Sequence, residues 1–481
     1  MRNAEMTHTT MTKKKKYILI GLAIFSCHFS AIGQQISQSY NILDYGAKAD
    51  SITINTQAIQ KVIDICSDKG GGIVIIPNGT FITGTLQLKD NITLHLEKMA
   101  VLRASIDTLD FPGGVDTQSL IYVNQAKNVS VNGEGIIDGR GSSFIVNKSH
   151  PDNRPNLILV RNCKNIRIED VTLKNSAYWT LRLQGNEHVF IKGISIYSHA
   201  NLNNDGIDID SKDVVISDCI IDTDDDALCF KSSQKTPCEN VVVTNCIIAS
   251  NCNFIKMGTM SRGGFKNITI SNCVLRPASE SNFRAWNKNL TGITDSITGI
   301  SGIALEVVDG GFLDQVSITN ISMEGVQTPI FIRLGSRENS TGSLKNVLIS
   351  NIIATTKSLI SSSITAVPGF YVENIILRDI IINCKGGGTL SDINRSVPEV
   401  EKNYPENRMF GNTLPAYGLY VRHARNITLD NVQFKLLQPD ARFALWLEDV
   451  HDITIKDFKT SKSQRKNEIV KKIETSGIII R

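Results

Sequence analysis

Lys127-Asn128-Val129-Ser130-Val131-Asn132-Gly133 is the first copy of a phrase that runs through the whole chain. Its grammar is a polar residue, then Val or Ile, any residue, an aliphatic, any residue, and a closing Asn, Asp or Gly. Later copies include Lys164 to Asp170, Lys212 to Asp218, Lys266 to Asn272 and His451 to Asp457. The opening polar positions are Asn128, Asn165, His188, Asp213, Asn240, Asn267, Gln315, Asn346, Asn374, Asn426 and Asp452. They lie 37, 23, 25, 27, 27, 48, 31, 28, 52 and 26 residues apart, and the two longest gaps are each about two units. A unit of roughly 25–30 residues is the period of a solenoid. Alternation of period two inside each phrase makes it a strand. The Leu framework of leucine-rich repeats and the longer apolar period of helical repeats are both missing. The prediction is an all-β chain, a right-handed parallel β-helix with coils about 4.8 Å apart. The closing Asn or Asp suits a tight corner, because these residues tolerate the left-handed region, and stacked copies predict a ladder along one edge.

A stack of coils exposes strand edges at its ends and needs caps. Thr56 to Cys66 has apolar residues at 58, 59, 62, 63 and 66, which is helical spacing, and Gly70-Gly71-Gly72 ends it. Residues 34–100 therefore read as an N-terminal cap with the first coils, inside a single β-helix domain over 34–481. Residues 386–417, rich in Gly, Pro, Asn and Glu, read as a long loop of the kind that is functional or mobile.

Of 481 residues 41% are hydrophobic and 20% charged, which excludes disorder and a multi-span membrane protein. The formal charge of +4 sits in residues 1–33, read as a secretory signal: the basic run Lys13 to Lys16, an apolar stretch from Tyr17 to Phe29, and Ala31-Ile32-Gly33 as a cleavage site. Met11 is a candidate start. Ile24-Phe25-Ser26 argues against lipid attachment at Cys27. Without this leader 46 acidic and 46 basic residues remain, so no basic surface calls for nucleic acid. The expectation is an exported or periplasmic monomer with no membrane span after signal removal. Cys219, Cys246 and Cys273, spaced 27 and 27, lack metal-ligand clustering and read as small buried residues stacked in the repeat.

Charge is even along the rest of the chain except from Asp205 to Asp226, where 22 residues hold nine Asp and one Lys. Asp213 and Asp218 occupy repeat positions and are turn residues. The EF-hand pattern and the glycine-rich calcium nonapeptide are absent, so no metal is assigned. Aligning Gly206 to Asp210 with Ala227 to Lys231 puts Ile207 over Leu228 and Ile209 over Phe230, continued by Ile255 and Met257 and by Ile303 and Leu305. Asp205, Asp226 and Asn253 then share one column, with Asn204 and Asp225 beside them. Carboxylates this close cannot all ionise, so at least one pKa rises. A protonated acid beside ionised partners is what glycoside hydrolysis uses. Strict alternation sends Asp225 and Asp226 to opposite faces, so the chain must bend there.

The stretches Asn175-Ser176-Ala177-Tyr178-Trp179, Asn203-Asn204-Asp205-Gly206-Ile207-Asp208 and Asp224-Asp225-Asp226-Ala227-Leu228-Cys229-Phe230-Lys231-Ser232 resemble glycoside hydrolase family 28, the polygalacturonases. Asp44-Tyr45-Gly46-Ala47 and Pro77-Asn78-Gly79 resemble that family's N-terminal cap. The resemblance implies that Asp205 and Asp226 activate water and that Asp225 is the general acid, in an inverting reaction without cofactor. Two departures accompany it. The family's G-H-G falls on Cys252-Asn253-Phe254, and its R-I-K, understood to hold the uronate carboxylate, falls on Ala304-Leu305-Glu306. Substrate-binding candidates are Asn253, Lys256, Lys231, Glu306 and Arg333. Glu306 is expected to pair with Lys231; Lys256 or Arg333 would replace the lost cation unless Lys256 is taken by a surface pair with Asp208. The expected substrate is a pectic polysaccharide or fragment, with a rhamnogalacturonan backbone or a terminal sugar preferred over plain homogalacturonan. The rival readings are a β-helical lyase, which would use a base and calcium, and a non-catalytic carbohydrate-binding β-helix.

Overall fold

Alternation inside each phrase sends every second side chain into the interior, and successive coils lay those residues over one another. Val131, Ile168, Ile191, Ile216, Val243 and Ile270 form one such stack, joined by parallel pairing from coil to coil. A computed structural model describes residues 38–114, 116–144, 154–280, 299–461 and 469–481. The signal reading at 1–33 lies outside the described residues. Ser39–Arg481 forms one unit, in which 33 strands among the described residues pair in parallel as a β-helix. No helix among the described residues is long and apolar enough to cross a membrane.

The helix predicted near the front spans Thr56–Asp68 and lays Ile59, Val62, Ile63 and Cys66 into the end of the aliphatic core. It stops where Gly71 turns at φ +115° and returns its N–H to the Cys66 carbonyl at 2.9 Å. A side chain at Gly71 would collide with Asn91.

Closing residues of the phrases are left-handed as predicted: Asp170, Asp218, Asn245, Asn272, Asn320, Asn351, Asp379, Asn431 and Asp457 all have φ between 52° and 62°. The opening residues are left-handed too, from Asn128 at 57° to Asp452 at 56°, so each strand is bracketed by two such corners. Each column carries its own amide ladder. Asn165 donates to Asn128 at 2.9 Å and Asn267 to Asn240 at 2.8 Å in the opening column. Asn351 donates to Asn320 at 3.0 Å in the closing one. Only Gly, Asn and Asp adopt this conformation routinely, which is why they recur there. Cys219, Cys246 and Cys273 are buried thiols, with Cys246 in contact with the other two, and all nine described cysteines are free.

The segment between the strands Val372–Cys384 and Ala416–Leu436 is anchored, not loose. It contains a short helix, Leu390–Ile393, and packs Ile393, Phe410 and Leu414 against Ala304, Phe331, Tyr420 and Trp446 in a second apolar cluster on the outer face.

Asn346 sits at φ +58°, donates to Asp314 at 2.7 Å and accepts from Asn374 at 2.8 Å. Asn346→Ala should therefore lower stability by about 1–2 kcal/mol, and Asn346→Gly, which keeps the backbone relaxed, by about half as much. Urea unfolding of the two variants measures the difference.

Candidate active site

The strands Leu181–Lys192, Ile207–Ser217, Leu228–Ser232, Asn253–Ser261, Ser301–Val307 and Thr328–Leu334 lie side by side on successive coils. Their inward columns run Leu181, Ile207, Leu228, Ile255, Ile303, Ile330 and Leu183, Ile209, Phe230, Met257, Leu305, Ile332, in the register expected from sequence. The residue between each inward pair faces outward, giving the column Arg182, Asp208, Cys229, Lys256, Ala304, Phe331.

The required bend lies between the strands Ile220–Thr223 and Leu228–Ser232. Thr223 and Ser250 donate their hydroxyls to the Asp225 carbonyl at 2.8 and 2.6 Å. The Asp225 N–H reaches the Asn204 side chain at 3.3 Å, and the Asp226 N–H closes onto Asp225 Oδ1 at 2.8 Å. The turn thus brings both side chains to one patch. Carboxylate oxygens of Asp225 and Asp226, and of Asp205 and Asp226, approach within 4.8 Å.

Neighbours divide these buried acids into unlike states. Burial opposes the charge on Asp226, but Lys256 and Lys231 hold it at about 2. Lys256 Nζ lies 2.9 Å from Asp226 Oδ2, and the backbone and side-chain amides of Asn253 donate to Oδ1 at 3.2 and 2.7 Å. Burial and the adjacent Asp226 charge push Asp225 up to about 6. Its Oδ1 is occupied by the Asp226 N–H, and its buried Oδ2 has no partner, so the proton belongs on Oδ2. Burial, with Asp208 and Asp225 nearby, drives Asp205 well above the carboxylate range. Burial also raises Asp208 to about 7. Lys231 stands 3.6 Å from Asp208 and 4.0 Å from Asp205.

Three sequence expectations change. Lys256 makes no surface pair with Asp208; it is buried and paired with Asp226. Glu306 does not pair with Lys231, whose ammonium is drawn to Asp208 and Asp205, and both Glu306 oxygens are buried without a hydrogen bond. Arg333 is fully buried and donates to the carbonyls of Ala366 and Glu399 at 2.9 Å each, so it anchors backbone. The Asn253 amide, likewise, is engaged by Asp226.

Sequence reading passed over three contributors. Trp179 stacks on Tyr178 and lies under Arg182 and Lys231, at 4.5 and 5.3 Å from its ring. His199, buried behind the bend, meets Asp222 at 2.9 Å and Asp224 at 3.2 Å; despite burial these carboxylates raise it to about 9, so it is a cation there. Tyr404, from the 386–417 segment, accepts a hydrogen bond from Lys256 at 3.0 Å. Trp179 stood inside a recognised stretch, whereas nothing in the repeat points to Tyr404.

A sequence model of glycosyl hydrolases family 28 matches residues 66–403. The chain belongs to that family. An exo-poly-alpha-D-galacturonosidase of Dickeya chrysanthemi is 28% identical over 40% of this chain and 41% of its own length. A Vitis vinifera protein named "Probable polygalacturonase" is 31% identical over 44% of this chain and 48% of its own. The chain thus spans less than half the length of either relative. The crystal structure of a hyperthermoactive exopolygalacturonase from Thermotoga maritima superposes with a TM-score of 0.61 at 21% identity, covering 85% of this chain and 93% of that one, which shows a shared fold.

For this family 28 chain, Lys256 is what separates the two neighbouring aspartates. Lys256→Gln removes the ammonium paired with the buried Asp226 charge and leaves it the more distant Lys231 and the Asn253 donors, which should cost about 3 kcal/mol in stability at neutral pH. The loss should shrink as acidification protonates Asp226. Thermal unfolding at a series of pH values checks both.

Proposed function

We propose that the protein hydrolyses glycosidic bonds in pectic polysaccharides or their fragments by single displacement. The observation that carries this reading is the opposite bias of two adjacent buried acids, Asp225 held up at about 6 and Asp226 held down at about 2. Asp225 gives the proton on Oδ2 to the glycosidic oxygen as the bond from that oxygen to the anomeric carbon breaks. Asp226 takes a proton from a water whose oxygen attacks the same carbon, and Asp205 orients that water. The acid ends ionised and the base protonated, and proton exchange with bulk water resets both.

An exo mode on a terminal sugar is part of the proposal. On the coils beyond Lys256 the outward column is covered: Ala304, Phe331, Tyr420 and Trp446 lie under the 386–417 segment. A site covered on that side favours chain ends, in line with the exo-acting relative from Dickeya chrysanthemi. The leader reading adds export, and the protein is taken to act as a monomer.

Asp225→Asn should lower kcat at least a hundredfold and leave ligand affinity largely intact. An unchanged rate would remove Asp225 from the acid role, absence of hydrolysis by the wild type would return the protein to the non-catalytic reading, and a product with new ultraviolet absorbance would indicate a lyase.

The acid works protonated, so kcat/KM should fall as pH rises through about 6, and the base works ionised, so it should fall again toward about 2. A rate profile rising from pH 5 to 8 would contradict these roles. Proton NMR of the first-formed sugar tests inversion.

A further inference from the structure

The acids that the mechanism uses are closed off from solvent. Asp205, Asp225 and Asp226 are 4%, 5% and 3% exposed, and Lys256 is 1% exposed. The Asp225 Oδ2 that would carry the proton is itself buried. A sugar ring cannot reach that oxygen until something moves. The strands beneath are held in register by their aliphatic columns, so the movement belongs to what lies above them.

The 386–417 segment lies there, and it is pinned on both sides of one short stretch. Arg422 holds the Val397 and Pro398 carbonyls at 2.8 Å, and Arg333 holds the Glu399 carbonyl at 2.9 Å. On the far side Asn407 donates to the Ile300 carbonyl and to Thr328 Oγ1, both at 3.0 Å. Between these anchors Glu401, Lys402, Asn403 and Tyr404 are all exposed. The stretch meets the catalytic floor through Tyr404, whose Oη accepts from Lys256 at 3.0 Å. Lys256 and Arg337 also lie 5.2 and 5.7 Å from the Tyr404 ring. One backbone tie is added where the Ser336 N–H reaches the Glu401 carbonyl at 2.9 Å.

The start of this stretch is strained. Val400 has φ +44°, a left-handed conformation that a β-branched residue adopts at a cost. Its side chain packs on the outer apolar cluster, and its carbonyl accepts from the Asn403 N–H at 3.2 Å, so the closed contacts hold the strain in place. Lifting the tip breaks the Lys256–Tyr404 and Ser336–Glu401 bonds and lets Val400 relax, which offsets part of the loss.

We propose that residues 400–404 are a gate over the catalytic acids, hinged at Val400 and latched by the hydrogen bond from Lys256 to Tyr404. What passes through the gate rests on the hydrolase reading; the motion does not. Closed, the gate keeps the acids dry. Open, it admits the sugar, and the closed fraction lowers apparent affinity in proportion.

Cys229 reports the motion without any turnover. It faces outward between Asp208 and Lys256, is fully buried, and has its Sγ 3.8 Å from Asp226 Oδ2. Cys246, in the core stack, is the internal control. The full chain is treated with iodoacetamide as wild type, Tyr404→Phe and Tyr404→Ala, and labelling of each cysteine is followed by mass spectrometry. Cys229 should label at least fivefold faster in Tyr404→Phe, which keeps the ring and loses the latch, and faster still in Tyr404→Ala. Cys246 should not change. With pectic oligosaccharides that the wild type cuts, kcat/KM should rise severalfold in Tyr404→Phe. The proposal is overturned if Cys229 labelling is the same in all three proteins or if Cys246 accelerates as much as Cys229. It is also overturned if kcat/KM falls in Tyr404→Phe, which would make the hydroxyl a substrate contact instead of a latch. If no pectic oligosaccharide is cut and Cys229 labelling still follows Tyr404, the hydrolase reading fails and the gate stands.

Discussion

Coil-to-coil register in a parallel ladder places the strand-borne groups of the cleft. Ile207, Leu228, Ile255 and Ile303 are stacked in the core, and the residues between them and the next inward column have no choice but to face out together. Slipping one coil by a residue would put Lys256 in the core and Met257 in the cleft, so the aliphatic columns enforce the site without touching a substrate. The left-handed corners make the register repeatable. Asp213, Asn240 and Asn267 cap the same coils that carry the acids, and their side chains bond in series at 2.8 Å.

On that frame the cleft is crowded with acids. Asp205, Asp208, Asp225, Asp226 and Glu306 are all buried, while the ammonium groups among them are Lys231 and Lys256. Full ionisation would leave excess negative charge in a desolvated space, so some acids must stay protonated. Geometry decides which. Lys256 and the two Asn253 donors converge on Asp226, whereas Asp225 receives a single backbone N–H. Two consecutive residues in the chain thereby become a base and an acid. The His199 cation, gripping Asp222 and Asp224 from behind, braces the turn on which that inequality depends.

What the sequence made legible follows from the same periodicity. The repeat phrase yields the coils, the inward pairs yield the register, and the register yields the column of Asp205, Asp226 and Asn253. It failed where a side chain has more than one neighbour to choose from. Lys256 and Asp208 lie in one outward column, yet the ammonium reaches sideways to Asp226, a choice made by side-chain length and the bend at Asp225. Tyr404 was out of reach for another reason: it meets Lys256 across 148 residues, from a segment outside the repeat.

That segment also explains the three large buried cations, Arg333, Arg422 and Arg442. A chain crossing the outside of a solenoid has carbonyls with no strand to pair with, and burying them unmet is costly. Arg422 donates to the carbonyls of Val397 and Pro398 at 2.8 Å each, and Arg442 to those of Leu359, Leu414 and Ala416 at 2.6, 3.1 and 3.2 Å. Arg333 holds Glu399 in the same way, and Asn407 donates to the Ile300 carbonyl at 3.0 Å. A planar guanidinium offers several donors in fixed directions, which suits it to gathering carbonyls from different strands. The arginines thus do for this irregular stretch what the ladder does for the coils. They fix the wall on which Tyr404 stands, and through it the edge of the space that a substrate can occupy.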